Sequence, residues 1–179
     1  MVDVRFSNND KDLEAFIRLY NLTMNRLQAK SYYYFNNNYF FNLKYLFPKN
    51  FLLAGAYAGN ELLASGIILC FDQIMNYHLS CSNWEKHYLA PNNLLDFEIA
   101  NYGAKNGFKF LQLGGGRAPN DSLFQYKKSF SPNSLKEFWT GEKIHLTDEY
   151  DSLSHLRKKT IEDINTPNRI SEIFPFYRS

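Results

Sequence analysis

Cysteine is scarce: Cys70 and Cys81 are the only two in 179 residues, and neither stands in a C-x-x-C or similar ligand spacing. That excludes a disulfide framework and makes the reducing cytoplasm the expected location. Long apolar runs are lacking too. The most apolar stretch, from Glu61 to Phe71, is broken by Ser65 and Gly66 and falls well short of the ~20 residues of a membrane helix. Met1 is followed by Asp3 and Arg5, not by a basic and then apolar segment, so no signal peptide is expected. Nor is there an excess of one charge. Lys and Arg number 20 against 18 Asp and Glu, a net of +2, too balanced to argue for a nucleic-acid coat or a polybasic membrane anchor.

What is present is apolar and aromatic side chain: 45% of residues are hydrophobic and 17% aromatic. This suffices for one sizeable core, and a single domain over residues 1–179 is expected. After a polar start, Asn9 and Asp10 cap a predicted helix over residues 11–29, with Leu13, Phe16, Ile17, Tyr20 and Met24 at helical spacing. A second helix over 37–46 must stop near Pro48. Residues 51–57 and 62–71 read as strands joined by a Gly59 turn, and 74–81 as a third strand. Pro91 opens a helix that Asn106 and Gly107 close. A short buried strand over 108–113 leads into Gly114, Gly115 and Gly116. A helix over 121–130, two strands over 134–139 and 143–146, and a polar helix over 148–164 complete the reading. The pattern is α+β, with a mixed central sheet flanked by helices.

Strict alternation on the third strand sends Tyr77, Leu79 and Cys81 to one face and Asn76, His78, Ser80 and Ser82 to the other. Such a polar face is either solvated sheet or the wall of a cleft, with His78 as proton acceptor and Ser80 as its hydrogen-bonding neighbour. In the helix after the glycines, Lys127 falls on the stripe formed by Leu123, Tyr126 and Phe130. Its ammonium must reach water or meet an anion, whereas Lys128 lies off the stripe. The glycines, Arg117 and the helix start at Asp121 could receive phosphate or carboxylate, or form a tight turn. The glycine run matches neither G-x-G-x-x-G nor a phosphate-binding loop ending in Gly-Lys-Ser/Thr. Arg26 precedes Tyr32, Tyr33 and Tyr34, which either pack together or contact substrate.

The element order resembles the acetyltransferase fold of the GNAT superfamily. Several strings resemble its branch of Fem-type aminoacyltransferases: Tyr20, Thr23, Met24 and Arg26; residues 77–80; residues 91–95; residues 113–116; residues 121–130; and the tail Phe174, Pro175, Phe176, Tyr177 and Arg178. Acetyl-CoA enzymes of this fold carry an Arg/Gln-x-x-Gly-x-Gly/Ala loop before the central helix. Here that stretch reads His87, Tyr88, Leu89, Ala90, Pro91, Asn92, without glycine. The resemblance implies transfer of an acetyl or aminoacyl group from acyl-CoA (acetyl-CoA) or aminoacyl-tRNA, without metal. The acceptor would be an amine on a small molecule or cell-envelope precursor. It further implies His78, Ser80 and Lys127 as catalytic residues. Gly114, Gly115, Gly116, Arg117, Asn92 and Asn93 would hold the donor, and Arg26, Tyr33 and Asp121 the acceptor. Fem-type enzymes carry two such domains, so a homodimer or a longer parent chain is an expected arrangement. A catalytically silent module of the same fold, binding a ligand or pairing with another domain, is the alternative.

Overall fold

Val2, Val4 and Phe6 alternate with Asp3, Arg5 and Ser7, and this segment forms strand β1 (Val2–Ser7), where the sequence reading has only a polar start. The computed structural model describes residues 1–118, 120–137, 139, 141–164 and 175. They fall into two compact units, Met1–Pro132 and Asn133–Ser179.

In the first unit, β1, β2 (Phe51–Ala58), β3 (Glu61–Phe71) and β4 (Ile74–Ser82) make an antiparallel meander. The short β5 (Phe110–Gln112) joins the far edge parallel to β4. Helices cover both faces. α1 (Asp10–Arg26) and α2 (Asn37–Leu46) pack on one side around Phe16, Tyr20, Phe40 and Ile67. α3 (Pro91–Lys105) crosses the other, burying Leu95 and Ile99 against Ala54, Ala64, Ile68 and Met75. Coverage of both faces explains why β2 and β3 are nearly continuous apolar runs rather than alternating ones. Each fully buried large side chain, Phe16 and Phe40 among them, contributes about 1.5–3 kcal/mol.

Local chemistry sets the helix ends. Asn9 and Asn36 accept from the Asp12 and Tyr39 N–H groups and cap α1 and α2. α1 stops at Arg26, three residues before the predicted end, because Gln28 turns left-handed (φ 47). The Ala29 N–H then donates to Met24 O and the Gln28 N–H to Asn25 O. This is the helix-ending pattern usually made with glycine, so nothing in the sequence announced it.

α4 (Ser122–Phe130) follows β5 through the glycine loop, with Asp121 as its cap. In the second unit, α5 (Thr147–Ile164) matches the predicted polar helix to within a residue. The two strands expected over 134–139 and 143–146 are not formed among the described residues; Phe138 and Thr140 lie outside them. These residues are exposed, and a hairpin without a buried face has little to stabilise it. Of the tail strings, Phe174, Phe176, Tyr177 and Arg178 also lie outside the described residues.

Candidate functional site

β4 and β5 are paired only at Ile74–Phe110, Met75–Leu111 and Asn76–Gln112. β4 runs on to Ser82, while the other strand ends and its chain leaves as a loop. A cleft of about 820 Å³ opens in the gap, lined by β4, the end of α1, the start of α3, the glycine loop and α4. Among the described residues, the edge of β4 facing the gap has no strand partner beyond Asn76. The Asn83 N–H donates to Leu63 O on β3. By two-residue alternation the N–H groups of Ser82 and Ser80 therefore point away from β3. That of Ser82 is taken by Thr23 Oγ1 at 3.1 Å, which ties β4 to α1. That of Ser80 faces the gap.

A bulge corrects the predicted alternation. Ile67 pairs with Leu79 but Ile68 pairs with Tyr77, so His78 is the extra residue. Leu79 and Cys81 pack with α1, whereas Tyr77 packs on the α3 side. His78 reaches α2, where its Nε2 lies 2.6 Å from Tyr39 Oη. The polar face expected from His78 to Ser82 is thus split at the bulge. Burial lowers the His78 pKa and raises that of Tyr39, which favours the neutral form of both rings at pH 7.

Arg26, Tyr33, His78, Ser80, Asn92, Gly115, Gly116, Arg117 and Lys127 all line the cleft; Asn93, Gly114 and Asp121 do not. Lys127 is half-buried, and its ammonium donates to Gly115 O at 2.9 Å. Burial lowers its pKa, opposed by the charges of Asp96 and Asp121. Asp121 builds the loop instead of facing the cleft. Its carboxylate accepts from the N–H groups of Phe124, Arg117 and Ala118, and these bonds, that of Phe124 foremost, hold its pKa below the usual carboxylate value. The glycines are shaped for this arrangement. Gly114 is left-handed (φ 71), and a Cβ on Gly116 would collide with Asp121 Oδ1. Phe130, expected on the inward stripe of α4, is exposed, with its ring edge-on to Tyr126 at 5.2 Å. Lys128, expected to be exposed, is partly buried.

Asp96 was missed. It is 5% exposed, lies on the inward stripe of α3 between Leu95 and Ile99, and lines the cleft. Tyr126 Oη donates to its Oδ2 at 2.8 Å. Burial raises its pKa against the opposing hydrogen bonds of Tyr126 and Tyr77 and the charge of Lys127. A carboxylate on an apolar stripe was the available signal. Tyr77 in turn sits over Gly66, where any Cβ would strike its ring.

The stretch before α3 offers a partial grip for a phosphate-bearing donor. Ala90 takes the left-handed turn (φ 48, ψ 43) that glycine would supply in the family loop. Its N–H, however, donates to His87 O, and Pro91 has none. The first-turn N–H of Asn92, which lines the cleft, lacks an intrahelical acceptor, and together with Arg117 and Lys127 it is a donor that fits such a group. Among the described residues no cluster of three or more His, Cys, Asp or Glu could hold a metal, and no helix is long and apolar enough to cross a membrane.

No family model and no curated protein matches the sequence. Solved structures do. An aminoglycoside acetyltransferase from an uncultured soil metagenomic sample, in complex with sisomicin, superposes with a TM-score of 0.63 at 14% identity, covering 81% of this chain and 97% of that chain. A possible acetyltransferase from Clostridium difficile 630 gives 0.61 at 12% identity, over 81% and 99% of the two chains. A ribosomal-protein-alanine N-acetyltransferase from Brucella melitensis biovar Abortus 2308 gives 0.56 at 14%, over 82% and 99%. The chain has the GNAT acetyltransferase fold, with a mixed five-stranded sheet flanked by helices. These neighbours give no support to the Fem-type branch, an aminoacyl-tRNA donor or a homodimer.

Proposed function

We propose that the cleft is an N-acyltransferase site that moves an acyl group from acyl-CoA to an amine. The observation that carries this reading is the unpaired edge of β4 beyond Asn76, opening into a cavity that also holds His78 and Lys127. Acyl-CoA supplies an activated thioester carbonyl. The Ser80 N–H is a preorganised donor for an oxyanion, fixed by the strand and needing no reorganisation. In the tautomer that donates Nε2–H to Tyr39 Oη, His78 keeps Nδ1 as an acceptor for the proton an amine must lose. Lys127, Arg117 and the start of α3 supply positive potential for donor phosphates. Holding both reactants in one cleft accounts for several further kcal/mol, about 7–11 at the limit, so modest acid–base apparatus suffices.

The test is release of free thiol from acetyl-CoA in the presence of amines, with the melting temperature followed in parallel. Acetyl-CoA is expected to stabilise the protein. His78→Ala should lower transfer by about 10²-fold while leaving the acetyl-CoA stabilisation in place. Absence of both stabilisation and thiol release would overturn the reading. Stabilisation without transfer to any amine would identify a silent binding module, the second reading.

A further inference from the structure

The charge lining the cleft is one-sided. Arg26, Lys30, Arg117 and Lys127 face a single described carboxylate, Asp96, which already receives the Tyr126 hydroxyl. Arg117 is 3.9 Å from Asp121, while Arg26, Lys30 and Lys127 have no ion-pair partner among the described residues. The cations come from two segments of the chain. Arg117 and Lys127 belong to the glycine loop and α4, beside the unpaired edge of β4. Arg26 is in the last turn of α1 and Lys30 just beyond it in the chain, with Lys30 and Arg117 both near the Tyr33 hydroxyl.

Arg26 is held in a particular way. Its guanidinium lies 5.0 Å over the Trp84 ring. Trp84 stacks on His87 at 4.5 Å with planes 9° apart, and His87 Nδ1 sits 2.7 Å from Trp84 O. The indole is therefore fixed although it is 56% exposed. A guanidinium placed over an indole face keeps N–H donors for other partners, and their fork matches a carboxylate or a phosphate in a bidentate fashion. The α1 C-terminus alone would attract a cation, but it explains neither the indole platform nor the second cation, Lys30.

We infer that Arg26, set over the Trp84 ring and sharing the cleft lining with Lys30, is an anion subsite that selects amines carrying a phosphate or carboxylate. Only the designation of that amine as acyl acceptor rests on the acyltransferase reading; anion binding stands without it. A polycationic amine meets no counter-charge among the described lining residues beyond Asp96 and is disfavoured by the same four cations.

The experiment is calorimetric titration of the full chain, without donor, against glucosamine 6-phosphate, glucosaminate, glucosamine and kanamycin. At least one of the two anionic amines is expected to bind about tenfold or more tighter than glucosamine and kanamycin. Which of them does so distinguishes phosphate from carboxylate. Arg26→Gln should remove that preference, leave glucosamine unchanged and leave acetyl-CoA affinity unchanged; Trp84→Ala should remove it in part. Equal binding of all four amines, a preference for kanamycin, or an Arg26→Gln defect confined to acetyl-CoA would overturn the inference. Preference for an anionic amine with no acyl transfer to any amine would remove the acyltransferase reading and leave the subsite. Transfer without such a preference would do the reverse.

Discussion

Replacing Lys127 by methionine is expected to lower acyl transfer by about 10²-fold or more with the fold retained. The side chain is half-buried in the cleft and its ammonium is held only by Gly115 O among the described residues. Methionine keeps the apolar stem on the Leu123 and Tyr126 side of α4 and removes the charge together with one hydrogen bond, a stability cost of about 0.5–1.5 kcal/mol. Thiol-release kinetics beside a melting curve separate the two effects. Near wild-type turnover in the variant would remove Lys127 from the site. A collapse of the melting temperature would show that its bond to the glycine loop matters chiefly for folding.

Asp96 should answer differently to two substitutions. Asp96→Ala strips Tyr126 of its acceptor and is expected to cost about 1–3 kcal/mol, the range for leaving a buried polar group unpaired. Asp96→Asn retains an acceptor and removes a charge that burial disfavours. The folded-state pKa of Asp96 is raised above the ordinary 3.8. Below 3.8 the carboxyl is protonated both folded and unfolded and carries no penalty. As pH rises through the folded value, the native state holds a charge that is more easily borne unfolded, and wild-type stability falls. Asp96→Asn should therefore gain on wild type as pH rises from about 3 through the raised pKa, and then hold a constant lead. Denaturant melts across that interval check it. A lead that shrinks with rising pH would mean the carboxylate is net stabilising through Lys127 and the two phenols.

Much of this architecture could be read from the sequence because both helix caps and strand periodicity were local. Asn9 and Asp121 each placed a helix start, and the glycine turn at Gly59 placed the β2–β3 hairpin. Three features were not local. Gln28 and Ala90 adopt left-handed backbone without being glycine, so α1 looked too long and the turn before α3 looked absent. The extra residue at His78 shows only in the pairing with β3 and reverses which side chains share a face. Asp96 could have been noticed as a carboxylate on an apolar stripe, yet its partner Tyr126 lies thirty residues on and becomes a neighbour only when α4 folds back. Of the expected site, Lys127, His78 and Arg26 share one cleft. Asp121, Gly114 and Asn93 lie outside its lining, the first two because their work is to hold the loop that carries Gly115 and Arg117.

On the proposed reading the opening between β4 and β5 receives an acyl-CoA. Hydrogen exchange of the full chain with and without acetyl-CoA addresses it most directly. The expected result is added protection on β4 from His78 to Ser82, at the start of α3, and in residues 113–127, with α1 to the left-handed turn at Gln28 little changed. Protection confined to other surfaces, or none at saturating acetyl-CoA, would contradict it.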